Sequence, residues 1–228
     1  MTARVPALEA TKIRLIMDLR QQGITDAVVL SAIERVPREV FVPQSFHDQA
    51  YENTALPIGH GQTISQPTVV GYMTQELQLG ERMRVLEIGT GCGYQAAVLS
   101  RLCRRVYTIE RYRALLRESE ARFAELRLHN ITTLWGDGTR GWPEQAPFDR
   151  IIVTAAAPEI PEILIDQLSD GGILMAPVGR STFDQSLVRC IKRADGYDSE
   201  TLWPVRFVPV VAGTVNSDGD RSSAGSKS

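Results

Sequence analysis

Residues 85–95 read VLEIGTGCGYQ, in which an apolar segment runs directly into a glycine-rich turn. Glycines at positions 89, 91 and 93 let the backbone turn sharply and approach a ligand closely. The N–H groups at the start of a following helix would then face that ligand. This stretch predicts a strand, a ligand-binding turn and a helix in succession.

Outward from this turn, the chain alternates between short apolar segments and amphipathic segments. Such alternation is typical of an α/β fold with a doubly wound, mostly parallel sheet, which binds ligands at the carboxyl ends of its strands. The predicted strands are RVLEI (84–88), RRVYTIE (104–110), NITTLWGD (130–137), FDRIIVTAA (148–156) and GGILMAPVG (171–179).

The flanking regions predict a single domain over residues 1–212 with a core at 84–180. Helical periodicity in 1–58 predicts a helical cap, with a second helix starting near Thr25 or Asp26. Polar residues in GHGQTISQP (59–67) predict a loop. QSLVRCIKR (185–193) and ETLWPVRFVPVV (200–211) predict a partly antiparallel edge. The remainder, 213–228, has almost no apolar residues and predicts a disordered tail.

The spacing of the glycines narrows the choice of ligand. The dinucleotide fingerprint GxGxxG would need a glycine at 94, where the chain has Tyr94. Glu87, two residues before Gly89, would be unfavourable beside a pyrophosphate but favourable beside a cationic ligand. We therefore predict S-adenosylmethionine, which carries a sulfonium and an ammonium group.

Acidic residues follow two further predicted strands. Glu110 lies 21 residues after Gly89, near the position where an acid binds a ribose diol in related folds. Asp137 follows the third strand and is placed to accept from an adenine amino group, with Gly138 permitting close approach. Either acid alone could be an ordinary surface or turn residue, so the argument depends on their recurrence.

Composition disfavours several classes of function. A net charge of −2 and a pI near 6.0 give no basic footprint for nucleic acid. Three widely spaced cysteines indicate neither a disulfide framework nor a metal site. Because no run of about 18 apolar residues occurs, we expect no membrane span or secretion. We expect a cytoplasmic, monomeric protein without a metal.

The motifs GQTISQP, VLEIGTGCGYQ, GDG followed by GW, PFDRIIVTAAAPEIP and VRFVPV together resemble the protein-L-isoaspartate O-methyltransferase family over about residues 8–212. The resemblance implies a seven-stranded Rossmann-like enzyme that methylates the α-carboxylate of L-isoaspartyl residues in damaged proteins, using S-adenosylmethionine. The ester would then collapse to a succinimide and begin the repair. Cys92 departs from the serine usual in bacterial members, and we expect little effect on binding.

The resemblance also implies roles for individual residues. The loop 59–67 would be the active-site loop, Ser65 would be the active-site serine, and the Ser65 hydroxyl would orient the acceptor carboxylate. The predicted cofactor-binding residues are Glu87, Gly89, Thr90, Gly91, Gly93, Glu110, Asp137 and Gly138, and the predicted substrate-binding residues are Thr63, Ile64 and Gln66.

Two other functions stay open at this point. One is a methyltransferase of the same class with a small-molecule acceptor, which GQTISQP disfavours. The other is a non-catalytic adaptor that binds the cofactor or isoaspartyl proteins, which the complete set of site residues disfavours. None of the three histidines pairs with a nucleophile in the sequence. A carboxylate acceptor with a pKa of about 3.5 is already ionised and needs no general base.

Overall fold

The chain begins with two helices, α1 (Arg4–Gln21) and α2 (Ala27–Arg35), in a computed structural model that describes residues 4–216. Asp26 caps α2, because its side-chain oxygen accepts from the N–H groups of Val28 at 2.8 Å and Val29 at 3.2 Å. The predicted start of this helix is confirmed. A short 3-10 turn (Arg38–Phe41) follows, within the segment VPREVFVP at residues 36–43.

The predicted active-site loop is largely a β-hairpin, which we call the acceptor hairpin (residues 56–64). Its strands are β1 (Leu56–Gly59) and β2 (Gln62–Ile64), paired antiparallel. The turn residues His60 and Gly61 both have positive φ, of 51° and 68°, as tight two-residue hairpin turns require. In β1 the side chains of Leu56 and Ile58 are buried and the residues between and after them are exposed. This apolar alternation could have indicated a strand, but it is short and polar residues follow it.

The hairpin leads into α3 (Pro67–Glu76), and the alternating part of the chain follows. Its elements are β3 (Arg84–Ile88), α4 (Tyr94–Leu99), β4 (Arg105–Glu110), α5 (Arg113–Glu125), β5 (Ile131–Trp135), β6 (Phe148–Val153), α6 (Glu162–Asp166), β7 (Leu168–Val178), β8 (Ser186–Arg193) and β9 (Gly196–Pro204).

The strands form one seven-stranded sheet in the order β5-β4-β3-β6-β7-β8-β9. Pairing is parallel from β5 through β7 and antiparallel at β8 and β9. The predicted fold class is confirmed, including the antiparallel edge. Strand order reverses between β3 and β6, and a crevice at such a reversal is where open α/β sheets bind ligands.

Side chains alternate between two hydrophobic clusters on the two faces of the sheet. Val85 and Ile152 pack in the larger cluster, which also contains Leu15 and Leu19 of α1. Leu86 and its neighbours pack in the smaller cluster, beneath α6. Because the cap and the sheet share the larger cluster, we retain the single-domain interpretation. No helix within residues 4–216 is long and apolar enough to cross a membrane.

The first residues of the predicted tail pair with the rest of the protein. Val215 donates its N–H to the Arg111 carbonyl at 2.8 Å and accepts from the Arg113 N–H at 3.1 Å. Gly213 donates to Asp137 Oδ2 at 2.8 Å. Residues 213 and 215 contribute only backbone groups to these bonds, so the side-chain composition of the tail did not indicate them. Residues 217–228 lie outside the described residues, and a disordered tail there stays a prediction.

The turn before α4 generates a test of stability. Gly93 has a φ of 92°, and a Cβ there would lie 2.7 Å from Phe123 Cε1 and 3.1 Å from Ser119 Cβ. We expect Gly93→Ala to lower the free energy of unfolding by about 2–4 kcal/mol, from left-handed strain and overpacking together. Urea denaturation without cofactor measures this.

Gly171→Ala is the matched control. Gly171 also has positive φ, of 70°, but its added Cβ would meet nothing within 4 Å. That variant should lose only the conformational part, about 1–2 kcal/mol. Equal losses in the two variants would show that contact with α5 contributes nothing.

Candidate active site

The candidate site is formed by two adjoining spaces at the carboxyl edge of the sheet. An inner cavity of about 280 Å³ is lined by residues 88–92, Glu110, Gly138 and the acceptor hairpin. An outer groove of about 680 Å³ is lined by residues 63, 65 and 66, the turn at 182–183 and the segment 203–208. Thr63 and Ser65 line both spaces, so they lie at the junction.

The glycine turn comprises residues 89–93, and residues 89–92 of this turn line the inner cavity. Gly89 has a φ of 96°, and a Cβ there would lie 2.5 Å from Thr154 Oγ1. Thr154 instead donates its hydroxyl to the Gly89 carbonyl at 2.7 Å. The N–H groups of Gly89 and Thr90 donate to the Ile109 carbonyl at 2.9 and 3.2 Å. Strands on both sides of β3 therefore hold the turn.

Glu110 is a buried carboxylate with backbone donors on both oxygens. Oε2 accepts from the Gly91 N–H at 2.8 Å, and Oε1 accepts from the Tyr112 N–H at 2.9 Å. Burial raises the pKa of Glu110, and the N–H groups of Tyr112 and Gly91 oppose this rise. The carboxylate borders the inner cavity. Its remaining lone pairs suit a ligand with paired hydroxyl donors.

Glu87 lies outside the lining of the inner cavity, although the sequence predicts it as a cofactor ligand. Strand alternation puts it on the face of Val85, and it is completely buried. Thr108 Oγ1 donates to Glu87 Oε2 at 2.5 Å, and Thr90 Oγ1 lies 2.7 Å from the same hydroxyl. Glu87 Oε1 has no partner among the described residues. Glu87 therefore reaches the cavity only through two threonines.

The pKa of Glu87 is raised to about 8, chiefly by burial and further by the charge of Glu110. The hydrogen bond from Thr108 opposes the rise. A carboxyl group in this position is mostly protonated at neutral pH, and it can then donate a hydrogen bond.

Asp137 and Gly93 also lie outside the inner lining, whereas Gly138 borders it. Asp137 Oδ1 accepts from the Thr139 N–H at 2.9 Å and from its hydroxyl at 2.6 Å. Burial opposes the shift, but these bonds and the one from Gly213 lower the pKa of Asp137. The carboxylate therefore already accepts three hydrogen bonds that fix the loop before Gly138.

Ser65 follows the acceptor hairpin and has a hydroxyl without a hydrogen-bond partner among residues 4–216. Its carbonyl, in contrast, accepts from Arg38 Nη2 at 2.9 Å. Thr63 borders both spaces, Ile64 borders the inner cavity and Gln66 borders the outer groove. The predicted substrate-binding residues therefore surround the junction, where an unpaired donor is available to a ligand.

Several lining residues were not predicted from the sequence. Tyr112 lines the inner cavity, and its ring lies 5.5 Å from that of His60 at the tip of the hairpin. Val210 and Val211 line the same cavity from the C-terminal segment. These two valines are far along the chain from the glycine turn, so nothing in the sequence indicated that they line the same cavity. The motif VRFVPV nevertheless contributes to the family resemblance. Within the described residues, no group of three His, Cys, Asp or Glu could hold a metal ion.

Burial of Glu87 predicts a pH dependence of stability. The pKa of about 8 in the folded protein exceeds the ordinary value of 4.5 for a glutamate, so its contribution to stability is fully present below about pH 4.5 and is lost as pH rises through 8. Relative to wild type, Glu87→Gln should gain stability between pH 5 and 8, by at most about 1.4 kcal/mol per pH unit, and level off above. Urea denaturation of the cofactor-free proteins measures the difference, and a constant difference across this range would contradict the assignment.

The chain is similar to known proteins over most of its length. The family model for protein-L-isoaspartate(D-aspartate) O-methyltransferase matches residues 10–215. A protein-L-isoaspartate O-methyltransferase of Paramagnetospirillum magneticum is 63% identical over 206 residues, covering 90% of this chain and 96% of the relative. The enzyme of that name from Rhodospirillum centenum is 64% identical over 203 residues, covering 89% and 92%.

Solved structures are similar over most of the chain. A protein-L-isoaspartate O-methyltransferase structure aligns with a TM-score of 0.81 at 29% identity, covering 88% of this chain and 66% of that longer one. A Plasmodium falciparum structure described as a putative member, in complex with S-adenosyl-L-homocysteine, aligns with a TM-score of 0.76 at 25% identity, covering 87% and 97%. The chain belongs to the protein-L-isoaspartate(D-aspartate) O-methyltransferase family.

Proposed function

We propose that this protein transfers the methyl group of S-adenosylmethionine to the α-carboxylate of L-isoaspartyl residues in damaged proteins and peptides, which initiates repair through a succinimide. The observation that carries the proposal is the position of Ser65. Its hydroxyl, which has no hydrogen-bond partner among residues 4–216, lies where a glycine-lined cavity adjoins a larger groove. One space suits a small cofactor, and the other suits an extended peptide.

The inner cavity fits S-adenosylmethionine by its chemistry. Side chains at Gly89 and Gly138 would collide with Thr154 and Ile88, so the backbone is bare where a ligand would approach. We propose that Gly89, Thr90 and Gly91 hold the cofactor through the turn. Glu110 would accept hydrogen bonds from the ribose hydroxyls, and Gly138 would lie beside the adenine.

Three predicted cofactor residues act indirectly in this proposal. Glu87 would act through Thr108 and Thr90, which connect it to the cavity. Gly93 would allow the turn to pack against α5, and Asp137 would hold the loop that presents Gly138.

The chain's own residues would position the acceptor rather than activate it. When bound, S-adenosylmethionine supplies an electrophilic methyl group on a sulfonium, whose sulfur is the leaving group. Ser65 would donate its hydroxyl to the acceptor carboxylate and hold it in line, while Thr63, Ile64 and Gln66 exclude water around it. The carboxylate is ionised at neutral pH, so no proton has to be removed.

We also propose a cytoplasmic monomer that binds neither nucleic acid nor membranes. The net charge of −2 supports the absence of nucleic-acid binding. The three buried, unpaired cysteines support a reducing compartment such as the cytoplasm. Size-exclusion chromatography with light scattering tests the monomer.

A matched peptide pair tests the reaction directly. The protein is incubated with methyl-labelled S-adenosylmethionine and two peptides that differ only in carrying L-isoaspartate or L-aspartate. We expect label on the isoaspartyl peptide alone, as a base-labile ester. Equal labelling, or none on either peptide, would contradict the proposal, and labelling of a small molecule instead would favour the alternative acceptor.

Removal of the Ser65 hydroxyl should affect turnover more than cofactor binding. A hydrogen bond to a charged group contributes about 1.5–3 kcal/mol, so Ser65→Ala should lower kcat about 10- to 100-fold. Affinity for S-adenosyl-L-homocysteine, measured by calorimetry, should stay within about twofold. Ser199→Ala, on exposed β9, is the control and should match wild type. Wild-type turnover in Ser65→Ala would remove the assigned role.

A further inference from the structure

Arg38 is a charged residue with no exposed surface, in the 3-10 turn that follows α2. It lines neither the inner cavity nor the outer groove. We propose that Arg38 is a positioning residue that fixes the backbone of Ser65 relative to the glycine turn. The proposal rests on the proposed function of Ser65 and goes beyond it.

The guanidinium of Arg38 joins three separate segments through their carbonyl groups. Nε donates to the Ala50 carbonyl at 2.9 Å, and Nη2 donates to the Ser65 carbonyl at 2.9 Å. Nη2 also approaches the Thr54 carbonyl at 3.4 Å. The bonds reach the chain before the acceptor hairpin and the residue just after it. Arg38 therefore joins the segment that precedes the acceptor hairpin to Ser65, the residue that directly follows it.

The same guanidinium lies on the ring of Tyr94, with Cζ 4.7 Å from the ring centroid. Tyr94 is the first residue of α4, directly after the glycine turn, and it borders the inner cavity. Phe41 also contacts the Tyr94 ring, edge-on, with the ring centroids 5.5 Å apart. One planar group thus connects the acceptor residue to the cofactor end of the site.

The charge of Arg38 is unusual because no carboxylate pairs with it among residues 4–216. Burial lowers its pKa, an effect that Tyr94 and Cys92 oppose. Nη1 has no hydrogen-bond partner among the described residues. A buried, unpaired cation is costly, and a neutral residue could fill the space at lower cost. What a neutral residue lacks is a rigid fork that binds several carbonyls at once.

Lysine cannot replace this geometry, because its ammonium is a point charge on a flexible stem and offers no planar face to Tyr94. Arg38→Lys therefore keeps the charge and removes the fork. Loosening of Ser65 should reduce the fraction of acceptor held in line, which lowers turnover at saturating peptide rather than cofactor affinity.

Arg150 provides a matched control in the same protein. Arg150 is less buried than Arg38, but it too donates to three carbonyls, those of Leu77, Gln78 and Asp149. It lies at the start of β6 and borders neither space of the site. Arg150→Lys therefore costs comparable backbone hydrogen bonds without touching the acceptor segment.

The test compares the two lysine variants by four measurements: kcat, affinity for S-adenosyl-L-homocysteine, melting temperature and amide hydrogen exchange. We expect Arg38→Lys to lower kcat on the isoaspartyl peptide at least about tenfold, while the dissociation constant for S-adenosyl-L-homocysteine changes less than about threefold. Arg150→Lys should keep kcat within about twofold of wild type, although its melting temperature should be similar to that of Arg38→Lys. Amide hydrogen exchange of residues 62–66, in the cofactor-free proteins, should accelerate in Arg38→Lys alone.

A folded Arg38→Lys protein with wild-type kcat, or equal losses in both variants, would overturn the proposal. If Arg38→Lys does not fold, Tyr94→Leu removes the supporting ring and leaves the carbonyl bonds, and it should also accelerate exchange at 62–66. Unchanged exchange there would equally overturn it. A wild-type protein that methylates no isoaspartyl peptide would refute the proposed function instead, since the exchange measurement does not depend on activity.

Discussion

Two backbone hydrogen bonds to the carboxylate of Glu110 connect the parts of the site to one another. They come from Gly91 in the glycine turn and from Tyr112 just before α5. Parallel strands bring these segments to one edge of the sheet, and the Glu110 carboxylate then joins the glycine turn to the start of α5. The buried anion thus orders its surroundings and remains available to the cavity that it borders.

The site depends on buried charged and ionisable groups to an unusual degree. Glu110 and Glu87 lie beneath or beside the inner cavity, and Arg38 lies beneath the acceptor hairpin. Each is costly to bury, and each is held by oriented hydrogen bonds rather than by an opposite charge. Such groups give directional constraints that apolar packing cannot supply. These groups therefore cost stability and in return fix the positions of the backbone and side chains that they bind.

The sheet and the ligand turn were predictable because their signals are local. RVLEI and FDRIIV show the apolar runs of buried parallel strands, and the observed β3 and β6 match them closely. The segment EIPEILIDQL (159–168) predicts a helix from its sequence, but the observed α6 is shorter, at Glu162–Asp166, because Pro161 precedes it and Leu168 already begins β7. Gly89, Glu110 and Gly138 fall at strand ends, so their convergence on one cavity followed from topology.

Roles that depend on side-chain direction or on distant backbone were not predictable. Glu87 is one residue from the strand end, and strand alternation turns it into the core, where Thr108 and Thr90 connect it to the cavity. Asp137 binds Gly213, 76 residues away, through a backbone N–H that no composition reveals. The sequence by itself determined the fold and the ligand turn, because period and spacing are read along the chain, and its motifs were enough to show the family resemblance. Only the tertiary structure decided that Arg38 supports Ser65 from 27 residues away, because hydrogen bonds form across space, between groups that periodicity does not pair.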